Sequence, residues 1–300
     1  MQNSYIPSQP NFSRIIHGHW RLREWNLSSQ ELITLVSQAL ELGISTIDHA
    51  DIYGDYSCEA IFGEALAIQP GLRKDLQLVS KCGIKLLSEK FPDRQIKHYD
   101  YSKKYIIQSV ENSLSNLNTD YLDVLLLHRP SPFFNADEVA ETFVELKQSG
   151  KVLHFGVSNF LPHQMDLLNA FLRDPLVTNQ VEISPFCLDY FQNGTVEMMQ
   201  KNQVKPMAWS PLAGGKLMNP TDEKGNRIFK SLQEVAHELN EESIEKVVYS
   251  WLMKHPSNIL PVVGTGKIER LKLAIEAQEL EMSLEQWFKI YIAGLGNSLP

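Results

Sequence analysis

The sequence predicts a closed (β/α)8 barrel, the TIM-barrel class of α/β fold, on three observations. Eight short apolar runs each give way to at least one segment whose apolar residues recur at helical spacing, and strands alternating with helices pair in parallel through crossovers. Eight such units fit in about 260 residues, an ordinary size for that barrel. The rival architecture, an open doubly wound sheet, calls for a G-x-G-x-x-G turn after an early strand. Only a fragment of it, Gly264-Thr265-Gly266, is present, and it follows the last apolar run.

Each element has its own signal. The first strand is expected over 14–20 (RIIHGHW). Ser28 and Glu31 then form a capping box for a helix whose Leu32, Val36, Ala39 and Leu40 share a face, and Gly43 stands where a helix C-cap belongs. Strand 44–48 follows, then a helix capped by Ser57 and a strand at 76–81. The stretch 82–101 is a loop of about twenty residues carrying Lys85, Lys90, Arg94, Lys97 and His98. Connections of that length are usually functional, so it is expected to be a mobile wall beside a site. Helix 103–117 buries Ile106, Val110, Leu114 and Leu117. Strand 123–128 (DVLLLH) is almost wholly apolar, as a strand covered on both faces should be. The alternation continues with helix 136–149, strand 152–158, helix 162–172, strand 177–181, helix 195–202 and strand 205–210. Helices 228–239 and 244–254, strand 259–263 and helix 267–277 complete the barrel, at about 13–278 of a single domain. A last helix, about 282–294, lies beyond it.

Composition narrows the function. A net charge of −8 on 300 residues argues against a general affinity for nucleic acid or for anionic membranes. No run approaches the ~18 apolar residues of a spanning helix. The N-terminal stretch lacks the basic start and apolar run of a secretory signal, so no leader is expected. The three cysteines, Cys58, Cys82 and Cys187, are scattered and fit a reduced, cytoplasmic setting.

In such a barrel the chemistry sits at the C-terminal ends of the strands. Those ends read Asp48, Lys81, His128, Ser158 with Asn159, Gln180, Trp209 with Ser210, and Gly264 with Thr265. Any one of them could merely cap a helix or meet water; seven in succession are hard to explain as turns. Asp48, Tyr53, Lys81 and His128 together make a proton-transfer set. A phenol titrating near ~10 holds its proton at neutral pH, and a neighbouring lysine would lower that value. An aspartate would hold the lysine charged, and the histidine would orient a carbonyl. No activated nucleophile accompanies them, so protonation of an oxygen coupled to hydride delivery is the chemistry that fits.

Five motifs carry a family resemblance: D-x-A-x-x-Y-G from Asp48, V-S-K ending at Lys81, L-L-H-R-P around His128, G-V-S-N-F around Ser158 and W-S-P-L-x-G-G from Trp209. In this order they resemble the aldo-keto reductase superfamily, most nearly its bacterial oxidoreductases of poorly defined substrate. The resemblance implies NADPH-dependent reduction of aldehydes or ketones, with Tyr53 as general acid, Asp48 and Lys81 as its tuners and His128 orienting the carbonyl. It implies that Ser158, Asn159 and Gln180 hold the nicotinamide carboxamide and that Trp209 stacks on the ring. Ser210, Leu212, Gly214 and Gly215 would pass along the pyrophosphate. At the adenosine end, Gly264, Thr265, Gly266 and Lys267 would open a phosphate-binding helix. Arg270 falls at the 2′-phosphate position, which favours NADPH over NADH. The usual Glu-Asn adenine pair is replaced here by Leu273-Ala274. Trp20, His49, Phe133 and Phe134 are the candidates for the substrate pocket, and Asp51 is assigned to shaping the loop.

Two other readings attach to the same barrel. His17 and His19, at i and i+2 on one strand face, could bind a metal, as in barrel amidohydrolases. Those enzymes also use ligands on the sixth and eighth strands, and VTNQV and ILPVV offer none. The other alternative is a cofactor-sensing regulatory subunit with slow turnover. The sequence leaves the physiological substrate and the oligomeric state open.

Overall fold

Eight parallel strands close into a barrel: β1 (Ile16–Gly18), β2 (Thr46–Asp48), β3 (Gln77–Cys82), β4 (Leu122–Leu127), β5 (Val152–Ser158), β6 (Asn179–Glu182), β7 (Met207–Trp209) and β8 (Leu260–Val263), with β8 returning to pair with β1. This computed structural model describes residues 10–300. Most of the stretch read as leaderless lies outside the described residues.

The helices wrapping the barrel are α1 (Ser29–Glu41), α2 (Cys58–Ile68), α3 (Lys103–Leu117), α4 (Ala136–Gln148), α5 (Pro162–Asn169), α6 (Thr195–Lys201), α7 (Glu223–Glu238), α8 (Ile244–Lys254), α9 (Ile268–Glu276) and α10 (Leu284–Leu295). The capping box that opens α1 is present: the Glu31 N–H donates to Ser28 Oγ at 3.3 Å, and the Ser28 N–H donates to Glu31 Oε2 at 2.8 Å. Helix α7 starts five residues before the expected 228. Asp222 Oδ1 accepts from the Gly225 N–H at 2.7 Å and caps a polar first turn that has no apolar stripe to announce it. Beyond the barrel, α10 docks through Trp287, whose ring stacks on Trp251 at 5.2 Å; each indole N–H donates to the other residue's carbonyl. Among the described residues no helix is long and apolar enough to cross a membrane.

The expectation of a structureless 82–101 loop needs correcting. Residues Ile84–Lys85 pair antiparallel with His98–Tyr99. Between them Arg94 donates to the Tyr56 hydroxyl at 2.6 Å, which ties the loop to the turn after Tyr53. Strands of two residues are too short to leave a periodic signal.

Strand register decides which side chains face the site. Asp48 is paired with Val79, so it shares the face of Val79 and of Lys81, two residues further on. Val79 packs inside the barrel with Ile16, Val124, Leu126, Met207 and Val262, and this face is therefore the inner one. Ile47 and Leu78, one residue out of phase, pack against the helices with Phe62 and Val110.

Candidate active site

Three strand ends meet at the floor of a cleft of about 800 Å³ at the C-terminal mouth. Lys81, on β3 and 1% exposed, donates from Nζ to Asp48 Oδ1 at 2.7 Å, to the Tyr53 hydroxyl at 2.9 Å and to the His49 carbonyl at 2.8 Å. Tyr53 begins a short helical turn (Tyr53–Tyr56) after β2, and its ring meets that of His128 edge-on at 5.9 Å. Asp48, Tyr53 and His128 all line the cleft, so the structure brings the four members of the proton-transfer set together.

Burial governs their protonation. It pushes the Tyr53 phenol well above its usual range, the Asp48 charge adds to this, and Arg129 opposes it. The expected net lowering of the phenol is thus reversed, because desolvation, with the Asp48 charge, outweighs Arg129. Burial also lowers Lys81, against the raising effect of Asp48. His128 falls well below its ordinary value through burial, with Lys81 and Arg129 adding to the effect, so the ring is neutral; its Nδ1 is buried without a hydrogen-bond partner among the described residues. A neutral imidazole and a protonated phenol on one cleft wall can both donate to a single carbonyl oxygen.

The cofactor candidates divide. Ser158, Asn159, Gln180, Trp209, Ser210, Leu212, Gly214, Gly215, Gly264, Thr265 and Arg270 line the cleft. Several of them are already tied to one another. Gln180 donates to Asp48 Oδ1 at 2.7 Å, Asn159 donates to Ser158 Oγ at 2.8 Å, and the Trp209 indole donates to Asn159 Oδ1 at 3.0 Å. Gly266 faces Trp25, which a Cβ there would meet at 2.9 Å, and Lys267, exposed at the N-cap of α9, is outside the lining. Arg270 lies 3.8 Å from Glu245, a carboxylate the sequence reading did not single out.

The residues present fit a dinucleotide. Gly214 and Gly215 have φ of +65° and +97°, and a Cβ on either would meet none of the described residues within 4 Å, so the backbone there is open to close approach by a phosphate. Arg270, at the far end, supplies a cation with 55% of its side chain exposed.

The substrate-pocket candidates fare less well. Trp20, 56% exposed, lines the cleft. His49 does not: it is wholly buried behind β2 against His19 and Phe62, because the residue next to an inward Asp48 must point outward. Phe133 is 95% exposed to solvent, and Phe134 packs on Tyr101 and Phe160, away from the cleft.

His17 and His19 also face outward. His17 is paired with the outward Ile47 and stacks on Trp25. Its Nε2 donates to the Thr265 carbonyl at 2.8 Å, which leaves its Nδ1 to accept from His19 Nε2 at 3.2 Å, so the pair is a neutral structural link to the Thr265 loop. Asp51, assigned to loop shape, is instead buried beside Glu59 and accepts from Ser109 Oγ at 2.9 Å. A glutamate in the apolar run of α2 was the signal available for this polar pocket. Among the described residues no group of three or more His, Cys, Asp or Glu side chains is arranged to hold a metal.

The model of the aldo/keto reductase family matches residues 14–293. Oxidoreductase YdhF of Escherichia coli (strain K12) is 50% identical, covering 98% of this chain and 97% of its own length. The 6-dehydroglucose reductase of Agrobacterium fabrum (strain C58) is 38% identical over 100% of both chains. The crystal structure of the thermostable aldo-keto reductase Tm1743 superposes with a TM-score of 0.78 at 25% identity, covering 96% of this chain and 99% of that one. An eight-stranded barrel with an Asp-Lys-Tyr chain at its mouth and a family match along nearly its whole length lead to one assignment: this protein belongs to the aldo/keto reductase family.

Proposed function

We propose that this chain is a carbonyl reductase using NADPH, converting an aldehyde or ketone to the alcohol with Tyr53 as the proton donor. The observation that carries the reading is the hydrogen-bonded chain from Asp48 through Lys81 Nζ to the Tyr53 hydroxyl at the floor of the cleft. When bound, NADPH supplies the hydride that ends on the carbonyl carbon. The residues of the chain supply everything else. Tyr53 Oη gives its proton to the carbonyl oxygen as the C–H bond forms, and the Lys81 ammonium stabilises the phenolate left behind. Asp48, itself held by Gln180, keeps that ammonium in place. Neutral His128 orients the carbonyl oxygen toward Tyr53.

Ser158, Asn159 and Gln180 would hold the carboxamide and Trp209 the nicotinamide face. The loop from Ser210 to Gly215, with Gly264 and Thr265, would hold the phosphates. Arg270 would pair with the 2′-phosphate and so select NADPH over NADH; Lys267 adds a peripheral charge. Three free cysteines suit a reducing compartment, and the proposal includes a cytoplasmic location. The Agrobacterium relative is named for a sugar carbonyl. A cleft that mixes Trp20 and Trp209 with hydrogen-bonding groups suits a hydroxylated carbonyl compound as well.

The test is Tyr53→Phe, with NADPH binding followed by fluorescence quenching and turnover measured on a panel of carbonyl compounds. Binding is expected to stay unchanged while turnover falls by about 10²-fold or more. Undiminished turnover would remove Tyr53 from the mechanism.

A further inference from the structure

Arg129 follows His128 at the end of β4, and its backbone is clamped. The Tyr101 hydroxyl donates to the Arg129 carbonyl at 2.5 Å and accepts from the Arg129 N–H at 3.0 Å. The half-buried side chain lines the cleft over the Trp209 ring, with the guanidinium carbon 5.5 Å from the ring centre. Other partly buried arginines are satisfied: Arg14 donates to two carbonyls, and Arg73 to carbonyls and to Asp123. The Arg129 guanidinium has neither an ion pair nor a hydrogen bond among the described residues, and residues 1–9 contain no Asp or Glu that could supply a carboxylate.

The surroundings reinforce this. Arg21 and Lys97 line the same cleft, likewise without ion pairs among the described residues. Of the nearby carboxylates, Asp48 is taken by Lys81 and Gln180. Glu182 lies in the field of Arg129 without closing on it, and Asp55 sits at the rim. A protein with a net charge of −8 repels anions at long range, so an anion entering this cleft needs such local cations. The dinucleotide phosphates have candidates elsewhere, at Gly214, Gly215 and Arg270, whereas Arg129 acts on the charge states of Tyr53 and His128.

We propose that Arg129 is a specificity-determining anion receptor, and that the carbonyl compound reduced here carries a carboxylate or a phosphate close to its carbonyl group. This rests on the reductase reading above. A guanidinium held by its backbone and by stacking presents a planar fork that matches either anion with two parallel hydrogen bonds, and it loses little freedom on binding.

Two matched pairs separate the anions from each other and from their neutral counterparts: succinic semialdehyde against butanal, and D-glyceraldehyde 3-phosphate against D-glyceraldehyde, with NADPH at low ionic strength. At least one anionic member should show a kcat/KM about tenfold or more above its partner, as befits charge-assisted hydrogen bonds. That ratio should fall toward one in Arg129→Gln and be partly kept in Arg129→Lys. The pair that shows the preference identifies the carboxylate or the phosphate as the ligand. Ratios near one in the wild type, or a ratio that survives Arg129→Gln, would overturn the proposal. So would weaker NADPH binding in Arg129→Gln with the same loss on all four substrates, since Arg129 would then serve the cofactor. Calorimetric titration of the two anionic aldehydes into both proteins reads the receptor without turnover. If nothing is reduced but wild type alone binds an anion, the reductase reading fails and the receptor stands; if neither protein binds one, the receptor fails.

Discussion

Lys81 Nζ lies 2.7 Å from Asp48 Oδ1 and 2.9 Å from the Tyr53 hydroxyl, and its remaining donor goes to the His49 carbonyl, so all three ammonium protons are committed within one buried site. An ion pair this deep is held by its geometry, because desolvating both charges offsets much of their attraction.

Removing only the cation should therefore do two things. Lys81→Met leaves Asp48 buried without its counter-charge, and a loss of roughly 3–5 kcal/mol of unfolding free energy is expected. Turnover should fall by about 10²-fold or more, because the phenolate loses the ammonium hydrogen-bonded to it. The double change Asp48→Asn with Lys81→Met separates the effects: urea unfolding should recover much of the stability, while activity stays lost. Recovery of activity along with stability would mean that Lys81 serves structure alone.

At the other end of the cleft, Arg270 has among the described residues only a loose ion pair, with Glu245, and most of its side chain in water, so the fold depends on it little. If it meets a 2′-phosphate, Arg270→Gln should raise the KM for NADPH by about tenfold and leave that for NADH nearly unchanged. Equal effects on both cofactors, or none on either, would remove Arg270 as the source of the preference.

How much of this was legible beforehand depends on the distance over which a signal acts. The barrel could be read because each strand and helix carries its own period. His128 could be read because a strand that is apolar from Val124 up to its last residue exposes the exception, and Asp48 and Lys81 because each is the one charged residue of its strand and ends it. His49 could have been excluded by the same logic: the neighbour of an inward residue points outward, to His19 and Phe62. Phe133 and Phe134 stand in a loop with no period, and only tertiary packing turns one to solvent and the other to Tyr101. The Gln180–Asp48 hydrogen bond joins residues 132 positions apart across the barrel, and no local pattern encodes it. Arg129 was visible as a letter in a motif; that its guanidinium is left unpartnered among the described residues is known only once the fold has satisfied the other arginines.

Asp51 gives a prediction of the opposite kind, a stability that changes with pH. One carboxyl oxygen accepts from Ser109, and the other is buried without a partner among the described residues beside Glu59, whose Oε2 is likewise unpartnered among them. Burial, and then the Glu59 charge, raise Asp51 from 3.8 to about 8. Between those values the folded protein binds a proton that the unfolded chain has released, so stability falls as pH rises through that window. Asp51→Asn keeps an acceptor for Ser109 and removes the titration. Relative to wild type, the variant should gain roughly 1–3 kcal/mol on going from pH 5 to pH 8. Urea unfolding of both proteins at the two pH values measures this. Parallel pH dependences would show that Asp51 is not held protonated, and the buried pocket behind Lys81 would then have to accommodate its charge.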